Sequence, residues 1–245
     1  MSRDEIYKDK NGEQPFRFDA SVARVFPDML RRSIPGYAAS LDVAGALAAR
    51  YVQPNTNCYD LGCSLGAAAL AMRQGIAVGG CRIIAIDDAP AMIERCREVV
   101  NEAGTDAHGT PIEVVQQDLR ETRIENASMV TFNYTLQFVP PPDRASVIAG
   151  IHDGLRPGGV LMLSEKVCDE DPAMEELLVD LYHEHKRRND YSALEIARKR
   201  AALENVLVPE TVAAHRARLQ AAGFERIAVW LRQFNFVSLI AIRND

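Results

Sequence analysis

No Cys-x-x-Cys pair occurs in this 245-residue chain, and its five cysteines, Cys58, Cys63, Cys81, Cys96 and Cys168, are odd in number. A disulfide framework and a zinc knuckle are both disfavoured, and reduced, mostly buried thiols are expected. Long hydrophobic runs are missing too: nowhere do about eighteen apolar residues stand together, as a membrane-spanning helix requires. The charged start Met1-Ser2-Arg3-Asp4-Glu5 is followed by no apolar signal core, so a cytoplasmic location without membrane attachment is expected. Positive charge is in short supply, with 28 Lys and Arg against 34 Asp and Glu, a net charge of -6. Affinity built mainly on neutralising phosphates is therefore disfavoured, and no direct nucleic-acid binding is expected. Repeats are absent, and the 47% hydrophobic, 25% charged composition is that of an ordinary globular enzyme. The length predicts a single α/β domain over 1–245 with a sizeable core.

What is present is an alternation of strand and helix patterns. Residues up to about Gln14 are polar and read as frayed. Val22, Val25, Phe26, Met29 and Leu30 recur at helical spacing from near Phe18, and a second amphipathic helix carries Leu41 to Tyr51 before Pro54. Together they form an N-terminal helical region, 18–53. Strands follow at 58–61, 82–86, 112–116, 127–133 and 160–164, with helices at 67–73, 90–103 and 143–155 and a turn at Pro157-Gly158-Gly159. The segment 166–209 is charged and helical, holds Lys186-Arg187-Arg188 and Arg198-Lys199-Arg200, and reads as an inserted cap; most of its charges are explained by a solvated surface. A helix at 211–222 ended by Gly223 and two strands at 227–231 and 236–242 close the chain, the last two as a hairpin with an antiparallel edge. Continuous apolar strands alternating with helices mean a parallel sheet covered on both faces. The expected fold is a doubly wound, Rossmann-like, seven-stranded sheet, six strands parallel and one antiparallel, as in the S-adenosyl-L-methionine (SAM) dependent methyltransferases.

Ligands of such sheets sit beyond the carboxyl ends of the strands. The first strand runs into Asp60-Leu61-Gly62-Cys63-Ser64-Leu65-Gly66, a glycine-spaced turn that brings backbone close to a ligand and aims a helix N-terminus at it. Asp87 follows about twenty residues later, the spacing at which a carboxylate accepts ribose hydroxyls. Asp118 can accept an adenine amine whose ring packs on Leu119 and Ala89, and Asn133 closes the fourth strand. With no third glycine of the dinucleotide fingerprint and no phosphate-binding lysine, the loop suits SAM, which has no phosphate. Gly-x-Ser-x-Gly is also the pattern of a serine-hydrolase elbow, but only one strand and two helices precede Ser64, and His152 and His215 sit in amphipathic helices. His183 and His185, two apart on a helix, point to different faces, and no metal is expected. Tyr37 reads equally as a turn residue and as a lid.

Longer runs carry a more specific likeness. Val25-Phe26-Pro27-Asp28-Met29, Ser33-Ile34-Pro35-Gly36-Tyr37, Tyr59 through Ala68 and Pro90-Ala91-Met92-Ile93-Glu94-Arg95-Cys96 resemble the carboxy-S-adenosyl-L-methionine synthase family. So do Ile124 through Val130, Thr135-Leu136-Gln137-Phe138, Leu163-Ser164-Glu165-Lys166 and Leu203-Glu204-Asn205-Val206. The resemblance spans about 18–242. It implies conversion of SAM and prephenate to carboxy-SAM and phenylpyruvate, the product being used by a tRNA carboxymethyltransferase on a wobble uridine. It also implies a homodimer and SAM contacts at Tyr37, Gly62, Cys63, Ser64, Asp87, Asp88, Asp118, Leu119 and Asn133, with Arg200 as the catalytic-site residue that holds the new carboxylate. Arg198, Lys199, Arg187 and Lys186 remain unranked for prephenate. An ordinary SAM-dependent methyltransferase of a small molecule or tRNA is the alternative enzyme, and a non-catalytic SAM-binding module the alternative from another class.

Overall fold

The computed structural model describes residues 2–9, 15–105 and 109–244. In chain order its helices and strands are α1 (Ile6–Asp9), α2 (Ala20–Ser33), α3 (Tyr37–Tyr51), β1 (Asn57–Leu61), α4 (Ala67–Gly75), β2 (Arg82–Asp87), α5 (Pro90–Glu102) and β3 (Ile112–Gln116). They continue with β4 (Ala127–Asn133), α6 (Arg144–Gly154), β5 (Leu155–Cys168), α7 (Pro172–Arg188), α8 (Ala193–Leu203), β6 (Glu210–Thr211), α9 (Val212–Ala221), β7 (Arg226–Gln233) and β8 (Phe236–Ile242). The sheet order is β3-β2-β1-β4-β5-β8-β7. β8 runs antiparallel to both neighbours, which leaves the other six main strands parallel to one another.

The period of two along each strand divides the core. Cys58, Ile83, Ala85, Met129 and Met162 face Leu47, Met72 and Ile93 from the helices on one side. Tyr59, Leu61, Ile86, Val130, Phe132 and Leu163 face Ile148, Ile151 and Leu219 on the other. Since both faces are covered, the strands carry uninterrupted apolar runs. Each fully buried side chain of this size contributes about 1.5–3 kcal/mol. A third cluster joins Val22, Val25, Phe26 and Met29 of α2 to Leu65, Met92 and Ala202, so α2 lies across the loop end of the sheet beside α8. Strand order reverses between β1 and β4, which places the ligand crevice above their carboxyl ends.

Local chemistry sets most boundaries. α2 starts two residues later than its apolar pattern predicts because the Asp19 carboxylate caps the amides of Ser21 and Val22. Asp171 caps α7 at Ala173, and Ser192 and Glu195 form a reciprocal capping box on α8. Three expectations are corrected. Pro157-Gly158-Gly159 is not a turn that precedes the fifth strand: β5 begins at Leu155 and carries this tripeptide as a register shift, with Gly158 and Gly159 bonded to Arg243. The antiparallel strand is not the edge, because β8 inserts between β5 and β7. The N-terminus is not frayed over 4–8: Asp4 and Tyr7 are buried, the Asp4 amide donates to Asp28 Oδ2 (2.8 Å), and Tyr191 donates to Asp4 Oδ2 (2.6 Å). Residues 10–14 of the polar stretch lie outside the described residues. Asp4 finds partners on α2 through its backbone and beside α8 through its carboxylate, which no local pattern reveals.

Candidate active site

A cavity of about 950 Å³ opens over the carboxyl ends of β1, β2 and β4, roofed by α2, α7 and α8. All ten residues expected at the site, Tyr37, Gly62, Cys63, Ser64, Asp87, Asp88, Asp118, Leu119, Asn133 and Arg200, line it.

The glycine loop is built from backbone outward. Asp60, fully buried at the end of β1, accepts from Thr131 Oγ1 (2.8 Å) and from the Ala69 amide in the first turn of α4 (3.0 Å). Burial pushes its carboxyl up to about 6 against those two donors. The amides of Gly62 and Cys63 both donate to the Ile86 carbonyl (2.8 Å each), which stitches the loop to β2. Gly62 has φ +72°, and a side chain there would strike Thr135; Gly66, φ +80°, is the N-cap of α4. Left-handed backbone at both positions is the reason for the glycine spacing. Ser64 also has positive φ (48°) and donates its amide to Asp87 Oδ2 (2.9 Å).

Asp87 bridges two loops, since its Oδ1 accepts from Ala89 (3.0 Å) at the start of α5. A carboxylate has about four lone-pair directions, so two remain for a diol. Burial raises its pKa in spite of both amide bonds. Asp118 is differently placed. It accepts from the Arg120 amide (2.8 Å) and from the Arg120 guanidinium (2.6–3.1 Å), which holds its carboxyl below the usual range. An adenine amine at Asp118 therefore competes with Arg120. Asn133 accepts from Ser164 Oγ (2.7 Å), which fixes its amide towards the cavity end of β4. The Cys63 thiol is buried and raised in pKa by its hydrogen bond with Cys96 and by burial, so it is inert as a nucleophile. Tyr37 lies at the first turn of α3, half-buried against the cavity, its hydroxyl raised in pKa by burial and by the nearby Asp60 charge.

The charged segment sorts itself. Arg200, on α8, is exposed and lines the cavity without a hydrogen bond or ion pair to any described residue. Lys186 of α7 and Lys199 of α8 are buried and also line the cavity. Arg198 points away from it, donating to the carbonyls of Tyr7 (3.1 Å) and Lys8 (2.7 Å), and Arg187 pairs with Glu184 (2.6 Å). Among the described histidines, His183 lines the cavity, whereas His152 packs edge-on against Phe224 and His215 is buried near Arg218. Among the described residues no histidine is hydrogen-bonded to Ser64, and no group of three or more metal-ligating side chains gathers.

Sequence reasoning missed Glu165 and Lys166 because it ended the fifth strand at Ser164. Glu165 is fully buried and accepts from the amides of Thr135, Leu136 and Gln137 (2.8–3.2 Å), which anchors the cavity wall after β4; burial pushes it up to about 8. Lys166 lines the cavity, its ammonium 5.7 Å from the Tyr182 ring centre. A strand-end rule applied two residues further would have found it. Tyr134, in the left-handed region at φ +56°, also lines the cavity and carried no sequence signal.

Comparison with known proteins gives a consistent picture. A family model described as a methyltransferase domain matches residues 59–159. The chain is 50% identical over 242 residues to the carboxy-S-adenosyl-L-methionine synthase of Marinobacter nauticus, covering 99% of this chain and 96% of that protein. It is 53% identical over 228 residues to the enzyme of the same name from Trichlorobacter lovleyi, covering 93% of each. Among solved structures, human N-acetylserotonin methyltransferase in complex with SAM superposes with a TM-score of 0.60 at 16% identity, over 92% of this chain and 56% of that one. An O-methyltransferase family protein from Burkholderia thailandensis superposes with a TM-score of 0.65 at 16% identity, over 93% of this chain and 61% of that one. These structural likenesses show the fold. No helix among the described residues is long and apolar enough to cross a membrane.

Proposed function

The chain belongs to the carboxy-S-adenosyl-L-methionine synthase family, and from that premise we propose that it makes carboxy-SAM and phenylpyruvate from SAM and prephenate. It is a transferase that uses SAM. In the proposed reaction prephenate loses carbon dioxide and hydroxide as its ring becomes aromatic. The hydroxide removes a proton from the activated SAM methyl, giving water, and the resulting ylide captures the carbon dioxide. No protein base is needed. The chain's own residues would hold the two reactants together, exclude water and stabilise charge, effects that can lower a barrier by several kcal/mol.

Within this reading the loop 62–64, Asp87, Asp88, Asp118, Leu119, Asn133 and Tyr37 hold SAM, and Arg200 holds the new carboxylate. The observation that carries it is a guanidinium that is unpaired among the described residues and lines the same cavity as the glycine loop. A methyl donor site gains nothing from such a cation beside its sulfonium, whereas a planar fork matches a carboxylate. The product would serve a tRNA carboxymethyltransferase in the cytoplasm. The enzyme would work as a homodimer, for which exposed Met174, Leu177 and Leu181 on α7 offer an apolar face. The segment 166–209 would act as a cap over a single domain.

The test is mass spectrometry of the small molecule released when the purified protein is denatured, together with phenylpyruvate formation from added prephenate and SAM. A ligand heavier than SAM by one carbon dioxide, and prephenate-dependent phenylpyruvate, are expected. SAM or its demethylated product alone, with prephenate untouched, would return the ordinary methyltransferase to the front.

A further inference from the structure

The roof of the cavity holds more positive charge than one transferred carboxylate needs. Lys186 is 4% exposed and Lys199 is 8% exposed, and both line the cavity. The Lys186 ammonium has no hydrogen bond or ion pair to any described residue; the rings of Tyr182 and Tyr191 lie 5.4 and 5.5 Å from it. Lys199 donates to Ser33 Oγ (3.3 Å) and has no carboxylate partner among the described residues. Lys166 reaches the same space from the end of β5. Asp4, Glu175 and Glu195 are near enough to be felt by these lysines, but each is committed elsewhere: Asp4 to Tyr191, Glu175 to the Asp169 amide and Glu195 to Ser192.

A buried ammonium has three donors and is costly without an anion to accept from it. Two buried ones, from α7 and α8, converge here with the half-buried Lys166 of β5, and burial lowers the pKa of each, Lys199 to about 8. Among the described residues none of the three is in ion-pair contact with a carboxylate, which leaves their donors open to a bound anion. Lys199 and Arg200 are consecutive on α8, so their side chains leave the helix in different directions, one buried and one exposed. The cavity thus has two cationic places.

We infer that Lys186, with Lys199 and Lys166, holds the carboxylate that the second substrate keeps through the reaction, the pyruvyl carboxylate of prephenate, and leaves Arg200 to the carboxylate that moves. This rests on the prephenate reading above. The substrate class it specifies is a dicarboxylate with its two anionic ends in separate places, one lost as carbon dioxide and one retained.

Phenylpyruvate is the probe, because it carries the retained carboxylate alone. Calorimetric titration of SAM-loaded protein is expected to show phenylpyruvate binding weakened tenfold or more by Lys186→Met and changed less than threefold by Arg200→Ala. The KM for prephenate should rise in parallel in Lys186→Met, SAM affinity should stay within twofold, and Lys186→Arg should recover part of the loss. The ligand-free Lys186→Met protein should melt no lower than wild type, since an uncompensated buried charge is removed; a structural brace would melt lower. If Lys186→Met does not fold, Lys199→Met is measured in its place with the same expectations. Unchanged phenylpyruvate affinity and KM, or loss in Arg200→Ala alone, would overturn the inference while prephenate turnover by wild type still stood. A wild type that leaves prephenate untouched removes both readings together.

Discussion

Replacing Arg200 by alanine separates a carboxy-SAM site from a methyl donor site. Its guanidinium makes no hydrogen bond or ion pair among the described residues and is exposed on α8. The fold therefore loses little: a surface change of this kind is worth about 0.5 kcal/mol or less, or roughly 2 °C in Tm for a chain of this length. Ligand binding loses more. A charge-assisted hydrogen bond to a carboxylate contributes about 1.5–3 kcal/mol, and the exposure of Arg200 argues for the lower end. Since about 1.4 kcal/mol is a factor of ten, carboxy-SAM should bind roughly tenfold more weakly to Arg200→Ala. SAM has no carboxylate to lose and is relieved of a like charge near its sulfonium, so its affinity should hold or improve. The ratio of the two Kd values then falls about tenfold or more. Arg200→Lys, which keeps the charge without the planar fork, should lie between. Ligand-free protein titrated calorimetrically with each compound at two salt concentrations makes the test, and added salt should narrow the wild-type preference. An unaltered Kd ratio in Arg200→Ala would refute the assignment. A Tm drop well beyond 2 °C would show that Arg200 braces the roof instead.

Three further outcomes follow from the geometry. Asp87→Asn turns one acceptor oxygen into a donor that must face the amide of Ser64 or Ala89, so SAM should bind about ten- to a hundredfold more weakly; unchanged SAM affinity in a calorimetric titration would remove Asp87 from the site. Arg144, fully buried, donates to the carbonyls of Val139, Gln137 and Val208 and pairs with Glu210 at 2.5 Å. Arg144→Met should cost about 3–5 kcal/mol in urea unfolding, and a loss under 1 kcal/mol would mean the network is dispensable. Lys199 has a folded pKa lowered to about 8 from 10.5, so the unfolded chain holds its proton more tightly. The penalty is full below pH 8 and is relieved as pH rises towards 10.5, so its contribution to stability should increase across that window. Lys199 is faced by Asp4 from the N-terminal segment, Arg32 from α2 and Lys186 from α7. As its charge is lost above pH 8, the KM for prephenate should climb there; a flat KM up to pH 9.5 would contradict the part given to Lys199.

The doubly wound sheet was legible because its signals are local. Apolar runs at 58–61, 82–86, 112–116 and 127–133 separated by helical spacings define parallel strands without reference to anything distant, and the structure keeps them to within a residue at either end. The glycine loop was legible for the same reason: Gly62 and Gly66 need left-handed backbone, Asp60 and Asp87 lie at the ends of β1 and β2, and Asp118 stands two residues beyond β3. Where the reading failed, a partner from another part of the chain decided. β5 runs through Pro157-Gly158-Gly159 because Arg243 supplies hydrogen bonds from 84 or more residues away in sequence, and the 4–8 segment is ordered by Asp28, Arg32 and Tyr191.

The basic segment marks the boundary between the two kinds of knowledge. Sequence alone determined the family, the strand-end acids and the presence of cations on helices α7 and α8, since each depends on residue identity and spacing along the chain. It could not distinguish Lys186 and Lys199 from Arg187 and Arg198, because neighbours on a helix differ only in the direction their side chains leave it. Tertiary packing made that choice: it gave Arg187 to Glu184 and Arg198 to the carbonyls of α1, and turned Lys186 and Lys199 into the cavity. Which charge is solvated, which is paired and which is buried and waiting for an anion is a property of surroundings assembled from α2, α7, α8 and β5, and only folding brings those together.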